Sequence, residues 1–261
     1  MEGPSLVILM EDLAPFVGTK VTKTAGSLPL AAGLMKQTLR SVKSWGKHAL
    51  LLFDDSTLRI HFLMFGSYRI DEEKPDREPK LQLHFKKGRV NFYTCAIRPL
   101  TDAEIKAYDW SIDLMADEWD AAKVTKKVKA QAERPVCDVL MDQEIFAGLG
   151  NIIKNEVLFI LKLHPDTLIA DLSPTMIKRL VQESRDYCWQ FYHWKKAGVL
   201  KKNWKVFRKR KCPECSGAVI KAPTGKGQRL SHFCPVCQSL GAPKPRAAAR
   251  TKRQNSAELS P

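Results

Sequence analysis

The sequence lacks any long apolar run and any recognisable export segment. No stretch of about 18 or more apolar residues occurs in the 261-residue chain, which excludes a membrane-spanning helix. The start of the chain has no basic region followed by an apolar stretch and a small-residue cleavage site, so we expect no secretory signal. These absences predict a protein that is neither embedded in a membrane nor secreted.

Acidic residues are scarce relative to basic ones. There are 28 Asp and Glu against 43 Lys and Arg, and the formal net charge is +15. A surplus of about 2–8 charges suffices to keep a small domain soluble, so solubility alone does not account for this excess. A strongly basic chain favours polyanionic partners. Nucleic acid is the first candidate, and an anionic membrane surface is the second.

The seven cysteines do not form an even, regularly spaced set. Cys95, Cys137 and Cys188 are scattered among apolar neighbours and are typical of small buried hydrophobic residues. The other four fall into two tight pairs near the C-terminus. This pattern is not a disulfide framework, and it predicts a reducing, intracellular location, which we take to be the cytoplasm.

The first part of the chain has the patterning of β-strands. Alternating apolar residues over 48–62 and over 81–93, each interrupted by a polar turn, predict two hairpins. Strands with one apolar face must bury that face, so we expect two stacked sheets or a barrel over residues 1–118. Helical spacing over residues 5–16 predicts a short helix just behind the N-terminus.

The pattern becomes helical over residues 119–211. Ser173 and Pro174 read as an N-cap and a first-turn proline, and they predict the start of a long helix. Residues 212–238 contain the paired cysteines and form a separate small module. Residues 239–261 are rich in Ala, Pro, Lys, Arg and Ser, which predicts a disordered basic tail.

The two cysteine pairs have the spacing of a zinc ribbon. Two residues separate the members of each pair and eighteen separate the pairs, so that four thiolates can complete a closed tetrahedron around one Zn²⁺. Four free or redox-active thiols are the alternative. The segment between the pairs is basic and contains glycines, and we expect it to form a hairpin with a flexible tip suited to a phosphate backbone. The predicted zinc ligands are Cys212, Cys215, Cys234 and Cys237.

A glycine turn lies between two helical stretches, in the order Gly148-Leu149-Gly150-Asn151. Glycines allow a tight turn and expose backbone N–H groups, and the N-terminus of the following helix adds positive partial charge. An anion could therefore bind there. A helix–turn–helix that only packs against its neighbours would have the same appearance, and this stretch alone does not separate the two interpretations.

Glu2-Gly3-Pro4, the glycine turn and the late four-cysteine ribbon occur together, and in this combination the chain resembles the formamidopyrimidine-DNA glycosylase/endonuclease VIII family. The resemblance runs from residue 1 to about residue 238. It implies an α+β fold with an N-terminal β-sandwich, a helix–two-turn–helix domain and a zinc-finger hairpin. It also implies a monomeric, cytoplasmic enzyme that excises oxidised bases from double-stranded DNA and cleaves abasic sites by β- or β,δ-elimination.

The resemblance assigns roles to individual residues. Glu2 matches the general acid/base, and Lys47 matches a lysine that contacts phosphate near the lesion. Asn151 and Arg229 match residues that contact the same DNA backbone. Met64 resembles the wedge that fills the space left by a flipped base. Without the family pattern, Lys47 would be a solvated strand-end lysine, Asn151 a helix cap and Met64 a core residue.

Two further basic residues complete the expected DNA contacts. Lys154 follows the glycine turn, and Arg98 matches one arginine of a family loop that is written here as the six residues from Cys95 to Leu100. The stacking phenylalanine of that loop is missing. A long glycine-rich loop is also missing before the zinc ribbon. We therefore expect oxidised pyrimidines, ring-opened bases or abasic sites as substrates.

The beginning of the chain departs from the family, whose members expose a proline as the nucleophile. Here Met1 precedes Glu2 directly, and Ser5 stands where many relatives carry a second glutamate. An α-amine has a pKa near 8, about two units below that of lysine, so a useful fraction is free base at neutral pH. We expect the Met1 amine to act as the nucleophile. A misassigned or engineered start, in which one proline codon is lost, is the alternative.

Two alternatives predict DNA binding without catalysis. One is a damaged-DNA-binding member of the same family that has lost its nucleophile. The other is a general nucleic-acid-binding zinc-ribbon protein of transcription or RNA handling. The Glu2-Gly3-Pro4 start counts against the latter, because such proteins do not need a defined terminus.

Overall fold

The computed structural model describes residues 1–240, so most of the tail predicted over 239–261 lies outside the described residues. The fold is mixed α+β, as predicted. Within the described part of the chain, no helix is both long and apolar enough to cross a membrane. The strands are β1 Val21–Ala25, β2 Ser41–Trp45, β3 His48–Leu52, β4 Thr57–Ile70, β5 Leu81–Phe85, β6 Gly88–Leu100, β7 Ile220–Thr224 and β8 Arg229–Phe233. The helices are α1 Gly3–Leu13, α2 Asp102–Lys106, α3 Ala121–Lys129, α4 Val136–Met141, α5 Asn151–Ile160, α6 Pro174–Lys196 and α7 Leu200–Asn203.

Six antiparallel strands form one sheet in the order β1-β5-β6-β4-β3-β2. The two predicted hairpins are the β3-β4 and β5-β6 pairs. The long strands β4 and β6 run through both halves of this sheet, and their register shifts between Phe62 and Ser67. Bulges bend and twist a strand, so this irregularity divides the sheet into two halves.

The two halves share one apolar core, as the layers of a sandwich do. Leu51 and Ile60 from one half lie in the same buried cluster as Leu83 and Phe92 from the other. Helix α1 adds Leu9 and other apolar residues to this cluster. The two layers of the sandwich are therefore two halves of one hydrogen-bonded sheet, because β4 and β6 continue from one half into the other.

The helical part has its own larger core, which extends into the sheet. Val157 of α5 and Leu180 of α6 are fully buried in it, and so is Leu50 of β3. The long helix α6 begins where the sequence predicts, since the Ser173 hydroxyl accepts a hydrogen bond from the Met176 amide at 3.1 Å. This shared core places the N-terminus of α5 beside the start of the chain.

Candidate functional site

Three glycine-bearing segments meet at the start of the chain. The Gly3 amide donates a hydrogen bond to the Gly148 carbonyl at 2.8 Å, and a Cβ on Gly3 would lie 3.0 Å from Gly148 Cα. The β2-β3 turn approaches the same point through Gly46, which has φ +55°. A Cβ on Gly150 would lie 2.3 Å from Glu2 Cδ. Glycine is needed here because three backbones and one carboxylate occupy a space that leaves no room for side chains.

The N-terminus of α5 binds the Glu2 carboxylate. The Ile152 amide donates to Glu2 Oε1 at 2.8 Å and the Ile153 amide to Oε2 at 3.4 Å. Loss of hydration raises the pKa of Glu2, while these amides and Lys47 partly offset the rise. The glycine turn thus holds an anion, as one of the two sequence interpretations proposed, but that anion is the protein's own carboxylate.

The Met1 α-amine lies in the same half-buried region. Burial lowers its pKa most, Lys47 and Lys195 lower it further, and Glu2 acts in the opposite direction. Lys195, in the last turn of α6, donates from Nζ to Ser5 Oγ at 2.9 Å. Sequence reasoning missed Lys195, because only the tertiary contact of α6 with α1 brings it to the site. The serine at the position where relatives carry glutamate now has a basic partner.

Lys47 lies in the β2-β3 turn, whose backbone is held by the buried side chain of Asp113. The Gly46 amide donates to Asp113 Oδ2 at 2.8 Å, and burial raises the pKa of Asp113 to about 6. The pKa of Lys47 is lowered, mainly by burial and also by the positive charge of Arg229, and the negative charge of Glu2 offsets part of this effect. Lys47 is therefore not a freely solvated lysine. It is within electrostatic range of both the carboxylate and the zinc-ribbon arginine.

Asn151 and Arg229 come together, whereas Lys154 turns inward. Asn151 Nδ2 donates to the Leu230 carbonyl at 3.0 Å, next to the exposed Arg229. Lys154 is only 1% exposed, its Nζ donates to Ser231 Oγ at 2.8 Å, and burial lowers its pKa to about 8. The prediction that Lys154 contacts DNA directly does not fit this burial, because its ammonium group is already bound inside the protein.

Met64 lies on a projecting, solvent-exposed bulge and not in the core. In β4, the residues between Phe62 and Ser67 lie outside the ladder, opposite a single residue of β6. Met64 is 75% exposed and its neighbour Phe65, with φ +67°, is 81% exposed. Sequence reasoning missed Phe65 as a candidate. The signal was an unbroken apolar run in a strand that otherwise alternates.

Arg98 lies within strand β6 and not on a separate loop. It pairs in register with Arg59 of β4, and its Nη1 donates to Glu104 Oε1 at 2.7 Å. Glu104 also closes a capping box with Thr101 at the start of α2. The expected family loop is absent at this position, because the six residues from Cys95 to Leu100 all belong to the strand.

The four ribbon cysteines come together as a potential metal site. Their Sγ atoms all lie within 4.8 Å of one another, with 3.7 Å between Cys212 and Cys237 and 3.4 Å between Cys215 and Cys234. A tetrahedral Zn²⁺ site with bonds of about 2.3 Å has sulfur–sulfur edges of roughly 3.8 Å, so the cluster has a suitable size. These residues could hold one metal ion.

Comparisons with known proteins agree with this architecture. Two family models match the chain: the formamidopyrimidine-DNA glycosylase N-terminal domain over residues 14–99, and the formamidopyrimidine-DNA glycosylase H2TH domain over residues 112–188. Endonuclease 8-like 3 of Mus musculus is 32% identical over 206 residues, which are 76% of this chain and 34% of that protein. The chain thus spans about a third of the length of that relative.

For one bacterial relative and two solved structures, the alignment with this chain covers most or all of the other protein. The DNA-(apurinic or apyrimidinic site) lyase Nei2 of Mycolicibacterium smegmatis is 28% identical, with 76% of this chain and 81% of that one aligned. The structure of Lactococcus lactis formamidopyrimidine-DNA glycosylase, non-covalently bound to DNA with an abasic site, has a TM-score of 0.81 at 21% identity, covering 92% of this chain and 100% of that one. A viral DNA glycosylase has a TM-score of 0.79 at 19% identity, covering 91% and 100%. The two family models together span more than half of the chain, and the chain belongs to the formamidopyrimidine-DNA glycosylase/endonuclease VIII family.

Proposed function

We propose that this protein excises oxidised bases from double-stranded DNA and cleaves the resulting abasic sites. The observation that carries the proposal is the half-buried Met1 α-amine, whose pKa burial lowers, beside a carboxylate held by the N-terminus of α5. A low pKa leaves more of the amine unprotonated at neutral pH, which is the form that attacks carbon. Burial raises the pKa of Glu2, which favours its role as a proton donor.

The proposed reaction assigns one task to each group. The Met1 nitrogen attacks C1′ of the flipped nucleotide, the bond from C1′ to the base breaks, and the base leaves with a proton. Glu2 protonates the sugar ring oxygen as the ring opens, the nitrogen loses one proton, and a protonated imine to C1′ results. Proton abstraction at C2′ then eliminates the 3′ phosphate, and a second elimination releases the 5′ side.

The basic groups around this centre are proposed to bind the DNA backbone. Lys47, Asn151 and Arg229 lie in neighbouring positions although they come from three separate parts of the chain. Neutralisation of phosphates by lysine and arginine makes affinity fall with salt. Met64 and its exposed neighbours are proposed to enter the base stack when the damaged nucleotide turns outward. Zn²⁺ in the cysteine cluster is proposed to be structural.

The substrate class follows from the segment over residues 199–211. This segment is short and basic, and buried Glu156 fixes it by accepting hydrogen bonds from the Lys205, Val206 and Phe207 amides at 2.7–3.0 Å. No long glycine-rich loop is present there to cover an oxidised purine. We therefore propose oxidised pyrimidines, ring-opened bases and abasic sites as substrates.

Borohydride trapping on an abasic duplex tests the nucleophile. The protein, with Met1 verified as its first residue by mass spectrometry, should give a covalent DNA adduct that maps to Met1, together with strand cleavage. Blocking the amine with an N-terminal extension should abolish both while binding is retained. The Glu2→Gln variant should bind abasic DNA and cleave it slowly.

A second function, damaged-DNA binding without cleavage, is favoured by one observation. Met1, and not the proline that the resemblance implies, directly precedes Glu2. Tight binding to abasic DNA with neither adduct nor nick would establish this second function and overturn the first.

A further inference from the structure

The tip of the β7-β8 hairpin is fixed to the helical part of the protein by two carboxylates. Asp138 of α4 accepts hydrogen bonds from the Lys226 amide at 2.7 Å and the Gly227 amide at 3.2 Å. Asp166 accepts one from the Gly225 amide at 2.7 Å. The sequence predicts a flexible tip, but three consecutive amides of the turn are bound by side chains of the helical part.

The fit around Asp138 is close. A Cβ on Gly225 would lie 2.4 Å from Asp138 Oδ1, and Gly225 has φ +66°, where residues with side chains are strained. A Cβ on Gly227 would lie 3.1 Å from the same oxygen. The two glycines therefore allow the Asp138 carboxylate to come close to the backbone of the turn. The sequence pattern does not indicate this contact.

Helix α5 holds the same hairpin from its other side. Three successive residues of β8 are bound: the Leu230 carbonyl by Asn151, the Ser231 hydroxyl by Lys154, and the His232 amide by Asn155 Oδ1 at 2.8 Å. Gln228 and Arg229 lie between the turn bound by Asp138 and Asp166 and the part of the strand bound by α5. The backbone of Arg229 is thus fixed on both sides while its side chain remains exposed.

We propose that Asp138 is a positioning residue for Arg229: it fixes the tip of the hairpin, as the cysteine cluster fixes its base, so that the guanidinium meets a DNA phosphate. The proposal rests on the proposed function in so far as Arg229 contacts DNA. Zinc alone cannot supply this positioning, because the hairpin extends away from the cysteines and carries Arg229 near its turn. Hydrogen bonds that involve an ionised acceptor are stronger than neutral ones, which suits a carboxylate to this task.

The test measures binding to a duplex containing a non-cleavable abasic analogue, over a series of salt concentrations. The Arg229→Ala variant should lower affinity about 10- to 100-fold and reduce the salt slope by roughly 0.9, the contribution of one phosphate contact. The Asp138→Asn variant should weaken binding in the same direction and reduce the slope by a similar amount. Combining the two substitutions should add little, since each removes the same contact.

The matched control is Asp142→Asn. Asp142 lies close to the same surface but pairs with Arg134 at 2.8 Å and accepts no hydrogen bond from the hairpin. It should keep the wild-type slope, although the change in net charge is identical. Metal content and circular dichroism should be unchanged in all variants. If Asp138→Asn does not fold, Asp166→Ala removes the acceptor of the Gly225 amide in the same turn and should reduce the slope.

The outcomes separate the inference from the function on which it rests. A wild-type slope in Asp138→Asn together with a reduced slope in Arg229→Ala overturns the positioning role and leaves the DNA contact intact. An unchanged slope in Arg229→Ala overturns the proposed phosphate contact, and the positioning role is overturned with it.

Discussion

Replacing Gly150 by alanine should disable the site without unfolding the protein. The Gly150 backbone has φ −117° and ψ −173°, which any residue can adopt, so the substitution introduces no backbone strain. The added Cβ, however, would lie 2.3 Å from Glu2 Cγ and Cδ and 2.4 Å from Oε1. The Glu2 side chain must therefore move, and its hydrogen bonds from Ile152 and Ile153 must lengthen or break.

The size of the effect follows from those contacts. A hydrogen bond to a charged group contributes about 1.5–3 kcal/mol, while Gly→Ala in a permitted conformation stabilises a protein by about 0.4–1 kcal/mol through the unfolded chain. The melting temperature should fall by about 2–4 °C for each kcal/mol of net loss. A displaced general acid/base should slow cleavage of an abasic duplex about 10²- to 10⁴-fold, which gel electrophoresis of single-turnover reactions measures.

Gly33→Ala is the matched control, because a Cβ there has nothing within 4 Å. It should cleave abasic DNA at the wild-type rate. If Gly150→Ala cleaves as fast as the wild type, the alignment of Glu2 by the N-terminus of α5 does not contribute to the reaction, and the reasoning about the glycine turn is refuted.

Three further predictions concern other parts of the site. Lys195→Met removes a cation that lowers the pKa of the Met1 amine, so that pKa should rise. The acid limb of the cleavage pH profile should then move to higher pH, and the variant should match the wild-type rate only in alkaline solution. An unmoved profile would contradict the electrostatic role of Lys195. Removal of metal by a chelator should release zinc and abolish tight DNA binding, because the ribbon core contains few buried apolar residues and needs the ion for its fold. Tight DNA binding after complete metal loss would contradict this prediction. Met64→Ala should slow base excision from duplex DNA more than cleavage of a preformed abasic site, whereas the exposed control Val236→Ala should affect neither.

Local patterns predicted much of the fold. The two hairpins, the start of α6 at Ser173 and the convergence of four cysteines all depend on residues close together in sequence, and the structure confirms them. The prediction of a β-sandwich also captured the shared core. It could not anticipate a single continuous sheet, because the bulge after Phe62 depends on pairing with β6 more than thirty residues away.

The interior of the site was less accessible to sequence reasoning. Family resemblance named Glu2, but its partners at Ile152 and Ile153 lie 150 residues away, and no periodicity links them. The burial of Lys154 could not be anticipated either, because the hairpin strand that covers it lies 77 residues away. Asp138 gave no signal, since an isolated aspartate in a short helix is typical of an exposed surface.

Helix α5 is only ten residues long, yet it binds three segments from different parts of the chain. Its first amides hold Glu2, its middle holds the hairpin strand through Lys154 and Asn155, and Glu156 holds the basic segment before the ribbon. Rotating this helix by a single residue, as an insertion would, should displace its contacts with Glu2, with the β7-β8 hairpin and with the segment over residues 199–211 at the same time.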